Sequence, residues 1–421
     1  MLIENGSQIL HEFTERSYRE TFSEVTEGVW HVLGLGHSNA IVIEGETGVI
    51  LVDTLDTLER SQKLLNFIRE RTGKAVHTIL YTHGHPDHRG GAGAFTGSAP
   101  EIIAFAPKTP ALARTELLQD IQNLRGFRQF GYGLTDGENL SQGIGPREGI
   151  THGEHRAFVP PTTLYHEDRV NRRIDGIELE LVRLPGEAED QAMIWLPQKG
   201  VLCCGDNYYG CFPNLYAIRG GQYRDLSVWV ESLDTLMSYP AEYLLPGHTA
   251  AICGRENILR TLGGFRNAID YLLTRTLEGM NLGKTADQLA TEIQLPPEYA
   301  GLPYLGEHYG CVEWTVRAIF AAYLGWFDGN PTHLHPLAPE VHAKKTIAIM
   351  GGPAAVLQAA KEAASSEEQW CLELCDLLLD AGMEAREAAA CKAEAMRRLA
   401  EHETSANGRH YYLACAKEFQ P

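Results

Sequence analysis

The chain has 421 residues, of which 44% are hydrophobic and 22% are charged. This composition is ordinary for a globular protein and excludes fibrous or disordered chains, while the length exceeds the roughly 250–300 residues that one hydrophobic core usually serves. The 55 acidic and 36 basic residues give a net charge of −19 with neutral histidines, which argues against nucleic acid and anionic membranes as partners.

The N-terminus and the cysteines indicate a cytoplasmic protein. The first five residues lack the basic-then-apolar pattern of a secretion signal, and no apolar run reaches the roughly 18 residues of a membrane span. Nine cysteines form no paired framework: Cys203 and Cys204 are adjacent, and Cys371 and Cys375 stand four apart in a helical pattern. Neither spacing is that of a structural zinc site, so we expect buried free thiols in a reducing compartment.

The first 250 residues alternate between short strands, loops and a few helices. Residues 41–43 and 48–53 are β-branched runs that predict a hairpin, residues 58–70 predict a helix, and residues 76–81 predict a strand. Further strands are expected at 177–182, 193–196 and 200–204. Together these elements predict an α/β layered architecture.

Between residues 124 and 163, glycines interrupt a stretch with little hydrophobic period. So long a loop is uncommon inside a compact domain, and it is often a lid or a binding loop. Simple surface disorder is the alternative, and the sequence favours neither.

After about residue 255 the pattern becomes helical. Residues 285–288 resemble a capping box, residues 312–324 form an amphipathic run, and residues 370–379 and 385–399 predict a helical hairpin of the tetratricopeptide kind without a repeat array. We therefore predict two domains, an α/β domain over 1–255 and an α-helical domain over 256–421.

The clearest chemical signal directly follows the strand at 76–81. His83, His85, Asp87 and His88 fall within six positions, where a strand end followed by a tight loop can point several side chains into one cavity. Imidazole and carboxylate groups suit zinc, at roughly 2.0–2.2 Å. A histidine-rich surface turn is the alternative, but the placement after a strand favours a metal site.

This HxHxDH string resembles the signature of the metallo-β-lactamase superfamily. The superfamily's further ligand motifs are matched at Pro185-Gly186-Glu187, Gly205-Asp206 and Pro246-Gly247-His248. Glu187 stands where histidine is usual, and in this the chain is similar to the alkylsulfatases, which hydrolyse sulfate esters. The resemblance continues through residues 212–220, 223–225, 323–331 and 405–409. The alkylsulfatases' usual C-terminal sterol-carrier-like domain is expected to be missing, because the sequence stops at Pro421.

The resemblance implies an αββα metallo-β-lactamase sandwich followed by an all-α dimerisation domain. It implies two Zn²⁺ per chain, one held by His83, His85 and Glu187 and the other by Asp87, His88 and His248, with Asp206 bridging. Such a pair would supply a metal-bound hydroxide at neutral pH, although these ligands also accept iron or manganese. Asp53, at a strand end, is expected to orient a metal-bound histidine, with a helix or turn cap as the alternative.

The resemblance also implies a pocket for a small anionic ester. Asn214 and Arg219 lie in the segment that lines the sulfate pocket, and Arg224 follows, although a surface salt bridge is the alternative for each arginine. The catalytic residues are expected to be Asp87 and an acid for the leaving group. The histidine proposed for that role in dodecyl sulfate hydrolases is absent, and Glu313 or His308 could replace it, or both could be packing residues.

Three functions remain open at this point. Hydrolysis of sulfate esters such as alkyl sulfates is favoured by Glu187 and by the segment from Asn214 to Arg219. Hydrolysis of a lactam, lactone, thioester or phosphodiester is the second, because a fold does not fix a substrate. A non-catalytic dimeric interaction protein is the third. In each case the resemblance predicts a homodimer through residues beyond about 256.

Overall fold

The computed structural model describes residues 4–419, so the first three residues of the N-terminal segment, as well as Gln420 and Pro421, lie outside it. Seven strands form the first sheet in sequential order: β1 (Thr21–Thr26), β2 (Val29–Leu33), β3 (Ala40–Glu44), β4 (Val49–Val52), β5 (Val76–Leu80), β6 (Glu101–Phe105) and β7 (Thr163–Tyr165). The second sheet has six strands: β8 (Arg169–Ile174), β9 (Ile177–Arg183), β10 (Ala192–Leu196), β11 (Val201–Gly205), β12 (Tyr243–Pro246) and β13 (Ile252–Cys253).

The helices of the first 281 residues accompany the sheets. They are α1 (Gly6–Ser17), α2 (Leu58–Thr72), α3 (Pro86–Arg89), α4 (Gln119–Gln129), α5 (Leu226–Ser238) and α6 (Arg255–Asn281). The remainder of the described chain is helical: α7 (Ala286–Glu292), α8 (Pro297–Ala300), α9 (Val312–Leu324), α10 (Pro339–Ile349), α11 (Pro353–Ala363), α12 (Glu368–Asp380), α13 (Ala385–His402) and α14 (Ala406–Glu418).

Four layers make up the α/β part. Apolar side chains from both sheets, such as Ile50 and Ile194, meet in a shared core between them. The outer face of the first sheet packs on α2, where Leu64 and Ile68 are fully buried. The outer face of the second sheet packs on α5, α6 and α9. This helix–sheet–sheet–helix arrangement confirms the predicted fold class, with the alternating apolar faces of the strands as its cause.

The pairing of the strands brings several strand ends to one edge. The predicted hairpin is present, because β3 and β4 pair antiparallel. Strands β4, β5 and β6 then run parallel, and so do β11 and β12. Parallel strands end at the same edge of a sheet, so the loops after β4, β5, β11 and β12 can meet there.

The C-terminal helices have a core of their own. Residues of α10 to α14 form one buried cluster, which includes Leu374, Leu378 and Met396. The predicted helical hairpin is α12 and α13, and the capping box at Thr285 and Gln288 is present at the start of α7. Helix α6 begins at the predicted domain boundary but shares the core of the second sheet, so the packing of the two parts is continuous there.

The glycine-rich stretch between 124 and 163 is packed rather than detached. It begins in α4 and continues as irregular chain with a short 3-10 turn at Gly149–His152. Gln129 accepts a hydrogen bond from His410 Nδ1 of α14 at its backbone oxygen, and Arg128 forms an ion pair with Glu418. No helix in residues 4–419 combines the length and the apolar character needed to cross a bilayer.

Candidate metal centre

The seven predicted metal ligands come together at the edge where the parallel strands end. His83, His85, Asp87 and His88 follow β5, and His85 precedes the short helix α3. Asp206 follows β11 and His248 follows β12, while Glu187 lies in the loop between β9 and β10. All are buried except His85 and Asp87, which face the cavity described below.

One group of side chains surrounds His85. Nδ1 of His85 lies 2.8 Å from Nε2 of His83 and 3.9 Å from Oε1 of Glu187. Asp206 approaches from the other side, with Oδ2 at 3.6 Å from Nε2 of His83. Ligand atoms of His85, Glu187 and Asp206 all lie within 4.8 Å of one another, and His83 lies beside this set.

A second group surrounds His88 and His248. Oδ2 of Asp206 lies 3.3 Å from Nε2 of both histidines. Oδ2 of Asp87 lies 3.3 Å from Nε2 of His88 and 3.4 Å from Nε2 of His248. Asp206 is the residue common to the two groups, which is the place that a bridging carboxylate takes.

Two residues behind the ligands fix this geometry. Asp53 accepts a hydrogen bond from Nδ1 of His88 at 2.8 Å and another from the backbone N–H of Thr82 at 2.8 Å. Asp53 itself has a φ of 59°, a strained value for a residue other than glycine that is typical of functional sites. Gly247 leaves no room for a side chain, because a Cβ there would lie 2.1 Å from Oδ1 of Asp206.

The donor atoms fit divalent zinc. Nε2 of His88, Nε2 of His248 and Oδ1 of Asp206 are buried without a hydrogen-bond partner among residues 4–419, a costly state unless a cation completes the site. Three sets of ligand atoms lie within 4.8 Å of one another, namely His83–His88–Asp206, His85–Glu187–Asp206 and His37–Asp87–His248. Imidazole and carboxylate groups in this number are the ligands of catalytic zinc sites.

The protonation of the histidines is consistent with metal binding. Burial lowers the pKa of His83 well below its usual value and that of His85 to about 3, so both rings are neutral at pH 7 and can donate a lone pair. Burial by itself would lower the pKa of His88, but the surrounding carboxylates of Asp206, Asp87 and Asp53 raise it well above the usual value. A proton therefore competes with a metal ion at His88.

A cavity of about 390 Å³ opens onto these ligands, and a second of about 220 Å³ adjoins it. His85, Glu187 and Arg219 line both. Arg219 forms no ion pair with any residue from 4 to 419, and its guanidinium donates to the Gly220 carbonyl, at 3.3 Å from Nη1. It is a half-buried cation facing the metal ligands.

Arg224 lines the smaller cavity with Arg219 but is ion-paired, and Asn214 is buried away from both cavities. Nη1 of Arg224 lies 3.1 Å from Oε1 of Glu187 in a buried ion pair, so its charge is committed to a predicted metal ligand rather than to the protein surface. Asn214 is buried, its backbone N–H donates to Tyr209 at 2.7 Å, and its Oδ1 has no partner among the described residues. Asn214 does not line either cavity.

Four polar residues of the larger cavity were not singled out by the sequence: His37, Glu148, Arg156 and Tyr309. Nε2 of His37 lies 3.9 Å from Oδ2 of Asp87, and no motif around His37 signalled this. Glu148 and Arg156 belong to the glycine-rich stretch, whose composition left a lid or binding loop and surface disorder equally open and marked no particular side chain. The hydroxyl of Tyr309 makes no hydrogen bond within residues 4–419 and lies near the ligands and Arg219.

Neither residue considered as the acid for the leaving group lies at this site. Glu313 is exposed on α9, where its carboxylate accepts a hydrogen bond from Arg317 Nη2 at 3.0 Å. His308 is buried against Phe13, with ring centroids 3.9 Å apart, and it lines neither cavity. This placement corrects the expectation for Glu313, because a surface carboxylate one turn from its arginine partner cannot reach a substrate in the cavity.

Comparisons with known proteins agree with the fold and with these motifs. Residues 33–248 match the model of the metallo-β-lactamase superfamily, and residues 285–421 match that of the alkyl sulfatase dimerisation domain. A linear primary-alkylsulfatase from a Pseudomonas strain is 34% identical over 391 residues, which are 90% of this chain and 73% of that protein. An alkyl/aryl-sulfatase of Saccharomyces cerevisiae is 30% identical over 94% of this chain and 63% of its own length.

A solved structure resembles nearly the whole chain. The stereoselective inverting sec-alkylsulfatase Pisa1 from Pseudomonas sp. superposes with a TM-score of 0.86 at 26% identity, covering 99% of this chain and 72% of Pisa1. The fold and the ligand motifs together define a hydrolase of the metallo-β-lactamase superfamily. Within the superfamily, the chain belongs to the alkylsulfatase family, whose named members are hydrolases of sulfate esters.

Proposed function

We propose that the protein hydrolyses alkyl sulfates with two zinc ions. The observation that carries this proposal is Arg219, a guanidinium without an ion-pair partner among the described residues, positioned at the junction of both cavities and the metal ligands. A guanidinium presents a planar set of donors that matches the oxygens of an anionic ester. The relatives named as alkylsulfatases support the same substrate class.

Helix α4 holds the segment of Arg219 in place. Its backbone N–H donates to Oε1 of Gln129 at 2.8 Å, and Nη2 of Arg125 donates to the carbonyl of Ile218 at 2.6 Å. Both partners lie on α4, so this helix fixes the segment that carries Arg219. Burial and the neighbouring Arg224 lower the pKa of Arg219, which means that its charge lacks compensation and would be stabilised by an anion.

In this proposal, His83, His85 and Glu187 hold one zinc ion and Asp87, His88 and His248 hold the other, with Asp206 shared. A bound zinc pair lowers the pKa of coordinated water and so supplies a nucleophile at neutral pH. Asp87 lies between His88 and His248 and lines the cavity, so this ligand faces the space that a substrate would enter. Asp53 keeps the ring of His88 in the orientation that presents Nε2 to the ion.

Tyr309 would assist Arg219 in binding the sulfate group. Burial raises the pKa of Tyr309, so its hydroxyl stays protonated and acts as a hydrogen-bond donor. The position of its ring is fixed through the backbone, because the carbonyl of Tyr309 accepts hydrogen bonds from Ser405 Oγ at 2.7 Å and Asn407 Nδ2 at 3.2 Å. The C-terminal helices thus support a residue of the cavity.

The larger cavity has an apolar wall suited to an alkyl group. Phe127, Phe130 and Ile144 line it. Ile121 and Leu124 are exposed on α4, the helix that also carries Phe127. Apolar side chains opposite a charged receptor are what an ester with a charged head and a hydrocarbon tail requires.

The proposal is tested with zinc-loaded protein and a panel of alkyl and aryl sulfates, by measuring released sulfate. Turnover that is lost in Glu187→Ala supports it. Turnover of a lactone or phosphodiester instead, with none on any sulfate ester, would assign the site to another substrate class. Retention of substantially less than two equivalents of zinc per chain would contradict the two-zinc site and favour a non-catalytic role.

We further propose that the protein is a homodimer. Residues 285–421 match a dimerisation domain, and this part of the chain exposes large apolar side chains, among them Leu324, Trp326 and Ile349, which are 58%, 77% and 88% exposed. Exposed apolar surface of this extent is typical of a protein–protein interface. A cytoplasmic location stays a prediction from the cysteine usage of the sequence.

A further inference from the structure

Three cysteines converge inside the C-terminal helical hairpin, far along the chain from the candidate metal centre. Cys371 and Cys375 are one turn apart on the same face of α12, and Cys391 faces them from α13. Sγ of Cys371 lies 3.5 Å from Sγ of Cys391, and the three sulfur atoms all lie within 4.8 Å of one another. We propose that these three thiols form a binding site for one thiophilic divalent metal ion, such as zinc or cadmium.

The spacing of the sulfur atoms suits a metal ion better than a disulfide. A zinc–sulfur bond is about 2.3 Å, so three thiolates around one ion stand about 4 Å apart. The present spacing needs only small side-chain movements to reach that arrangement. A disulfide between Cys371 and Cys391 would need their sulfur atoms to approach by more than 1 Å, to roughly 2.05 Å.

The surroundings select a soft ion. Cys371 and Cys375 are fully buried among apolar residues such as Leu374 and Leu378, and no carboxylate or imidazole joins the three thiols within the described residues. Thiolate ligands without oxygen ligands favour zinc, copper(I) and similar ions over magnesium or calcium. Cys391 is only partly buried, which gives an ion a route from solvent.

One neighbouring cation affects the charge of the site. Binding of a divalent ion releases three protons from the three thiols to solvent and leaves a net charge of −1 at the site, with no oxidation or reduction. Lys392 follows Cys391 on α13, and its ammonium favours ionisation of Cys375, although burial raises the pKa of that thiol to about 12. Lys392 also pairs with Asp376 of α12, so its charge is shared between that carboxylate and the ion-bound thiolates.

The ion would fasten α12 to α13. The two helices are joined by the short turn at Ala381-Gly382, and the three thiols lie along their contact. A metal ion held by both helices constrains the hairpin, in the region that matches the dimerisation domain. The cysteine site shares no residue with the candidate metal centre, because all seven ligands proposed there are histidines or carboxylates.

Cadmium titration of the fully reduced protein, freed of bound metal with a chelator beforehand, tests this site. Sulfur-to-cadmium charge transfer absorbs in the ultraviolet and reports thiolate ligands only, so cadmium bound at the histidine and carboxylate centre does not contribute. We expect the absorption to rise to saturation at one thiolate-bound cadmium per chain, with release of about three protons. The midpoint of thermal unfolding should rise together with it.

Matched variants separate the three thiols from the other cysteines. Cys391→Ala, at a partly buried position, should remove most of the absorption while leaving the circular dichroism spectrum unchanged, and Cys375→Ala should do the same. Cys253→Ala, at an exposed cysteine outside the hairpin, should keep the full absorption. Absence of the absorption in the unaltered protein, or equal absorption in Cys391→Ala, would overturn the proposal. The proposal would also be overturned if the reduced protein bound no cadmium and formed a Cys371–Cys391 disulfide on exposure to air.

Discussion

His88 donates a hydrogen bond from Nδ1 to Oδ2 of Asp53 at 2.8 Å, and this contact decides which nitrogen of the ring faces the metal centre. With Nδ1 committed, Nε2 points to Asp206 and Asp87, each 3.3 Å away at Oδ2. The carboxylate also accepts from the Thr82 hydroxyl at 2.8 Å, so it is fixed on two sides. Such partners behind a ligand orient the ring and increase its basicity.

Asp53→Asn should weaken zinc binding about 10- to 100-fold, because the ring of His88 loses the charge that orients it. Asparagine tolerates the positive φ of this position, so the loss would not reflect backbone strain. The measurement is a competition titration with a chromophoric chelator.

Asp175→Asn is the matched control. Asp175 also has a positive φ, and its carboxylate also accepts backbone hydrogen bonds, from Thr47 and Gly48. It lies in the turn that joins β8 to β9 and contacts the turn that joins β3 to β4. The Asp175→Asn variant should bind zinc with the same affinity as the unaltered protein. Equal affinity in both variants would contradict the role given to Asp53.

Arg219→Lys should lower kcat/KM for sulfate esters about 10- to 100-fold with zinc content unchanged. Lysine keeps the charge but cannot present the planar fork that binds two oxygens at once. Charge-assisted hydrogen bonds of this kind contribute roughly 1.5–3 kcal/mol each. Steady-state kinetics and metal analysis of the same preparation check both parts.

Arg224→Lys gives the contrasting result. Arg224 pairs with Glu187, and the Tyr209 hydroxyl donates to the other oxygen of Glu187 at 2.9 Å. Loosening this support should reduce zinc retention, whereas Arg219→Lys should not. Loss of zinc in Arg219→Lys would place both arginines in the same supporting role and remove the assignment of Arg219 to substrate.

Local patterns in the sequence were enough to predict most of the fold. Residues 312–324 were expected as a helix and are α9, and residues 177–182 were expected as a strand and form most of β9. These elements are specified by apolar periodicity and by nearby caps and turns. The position of the HxHxDH motif at a strand end was predicted in the same way, because only the strand before the motif had to be recognised.

Contacts between distant segments were not predictable from these patterns. His37 reaches Asp87 only because the loop after β2 folds over the same sheet edge, and no local motif marks that approach. Glu313 illustrates the opposite failure: it was considered as a replacement for the absent family histidine, but α9 turns its side chain toward Arg317 on the surface. The cysteine triad likewise needed α13 to bring Cys391 beside the pair on α12, which the sequence had noted without a partner.

Tyr309→Phe should reduce kcat/KM for a sulfate ester by about 10-fold or more, because a hydrogen bond to a charged group is lost while the ring remains. Glu313→Gln should stay within about 2-fold of the unaltered enzyme, as expected for an exposed side chain. Both are measured as sulfate release under the same zinc loading. A larger loss in Glu313→Gln than in Tyr309→Phe would restore Glu313 as a participant in the reaction.

Trp326→Glu should shift the protein from dimer to monomer, since it puts a charge on the most exposed tryptophan of the dimerisation region. Its side chain is 77% exposed and follows α9. Leu117→Glu is the control, because Leu117 is 76% exposed in the 3-10 turn before α4, outside the residues that match the dimerisation domain. Light scattering at micromolar concentration should find a dimer for the control, and a dimer for Trp326→Glu would count against this interface.

Glu148→Gln should make the free energy of unfolding less dependent on pH. Burial, only partly opposed by Arg156, raises the pKa of Glu148 from 4.5 to about 7. A carboxyl with a raised pKa stabilises the folded state below pH 4.5, and that contribution is lost as the pH rises through 7. The free energy of unfolding of Glu148→Gln, relative to the unaltered protein, should therefore increase by roughly 3 kcal/mol between pH 4.5 and pH 8.

Glu101→Gln supplies a control of opposite sign. Burial opposes ionisation of Glu101, but hydrogen bonds from Arg172 and Thr163 lower its pKa below the usual value. Its contribution is present above pH 4.5 and is lost as the pH falls, so Glu101→Gln should lose stability relative to the unaltered protein as the pH rises. Urea unfolding at several pH values measures both variants. Differences of the same sign, or a pH-independent difference for Glu148→Gln, would mean that the cavity does not raise the pKa of Glu148.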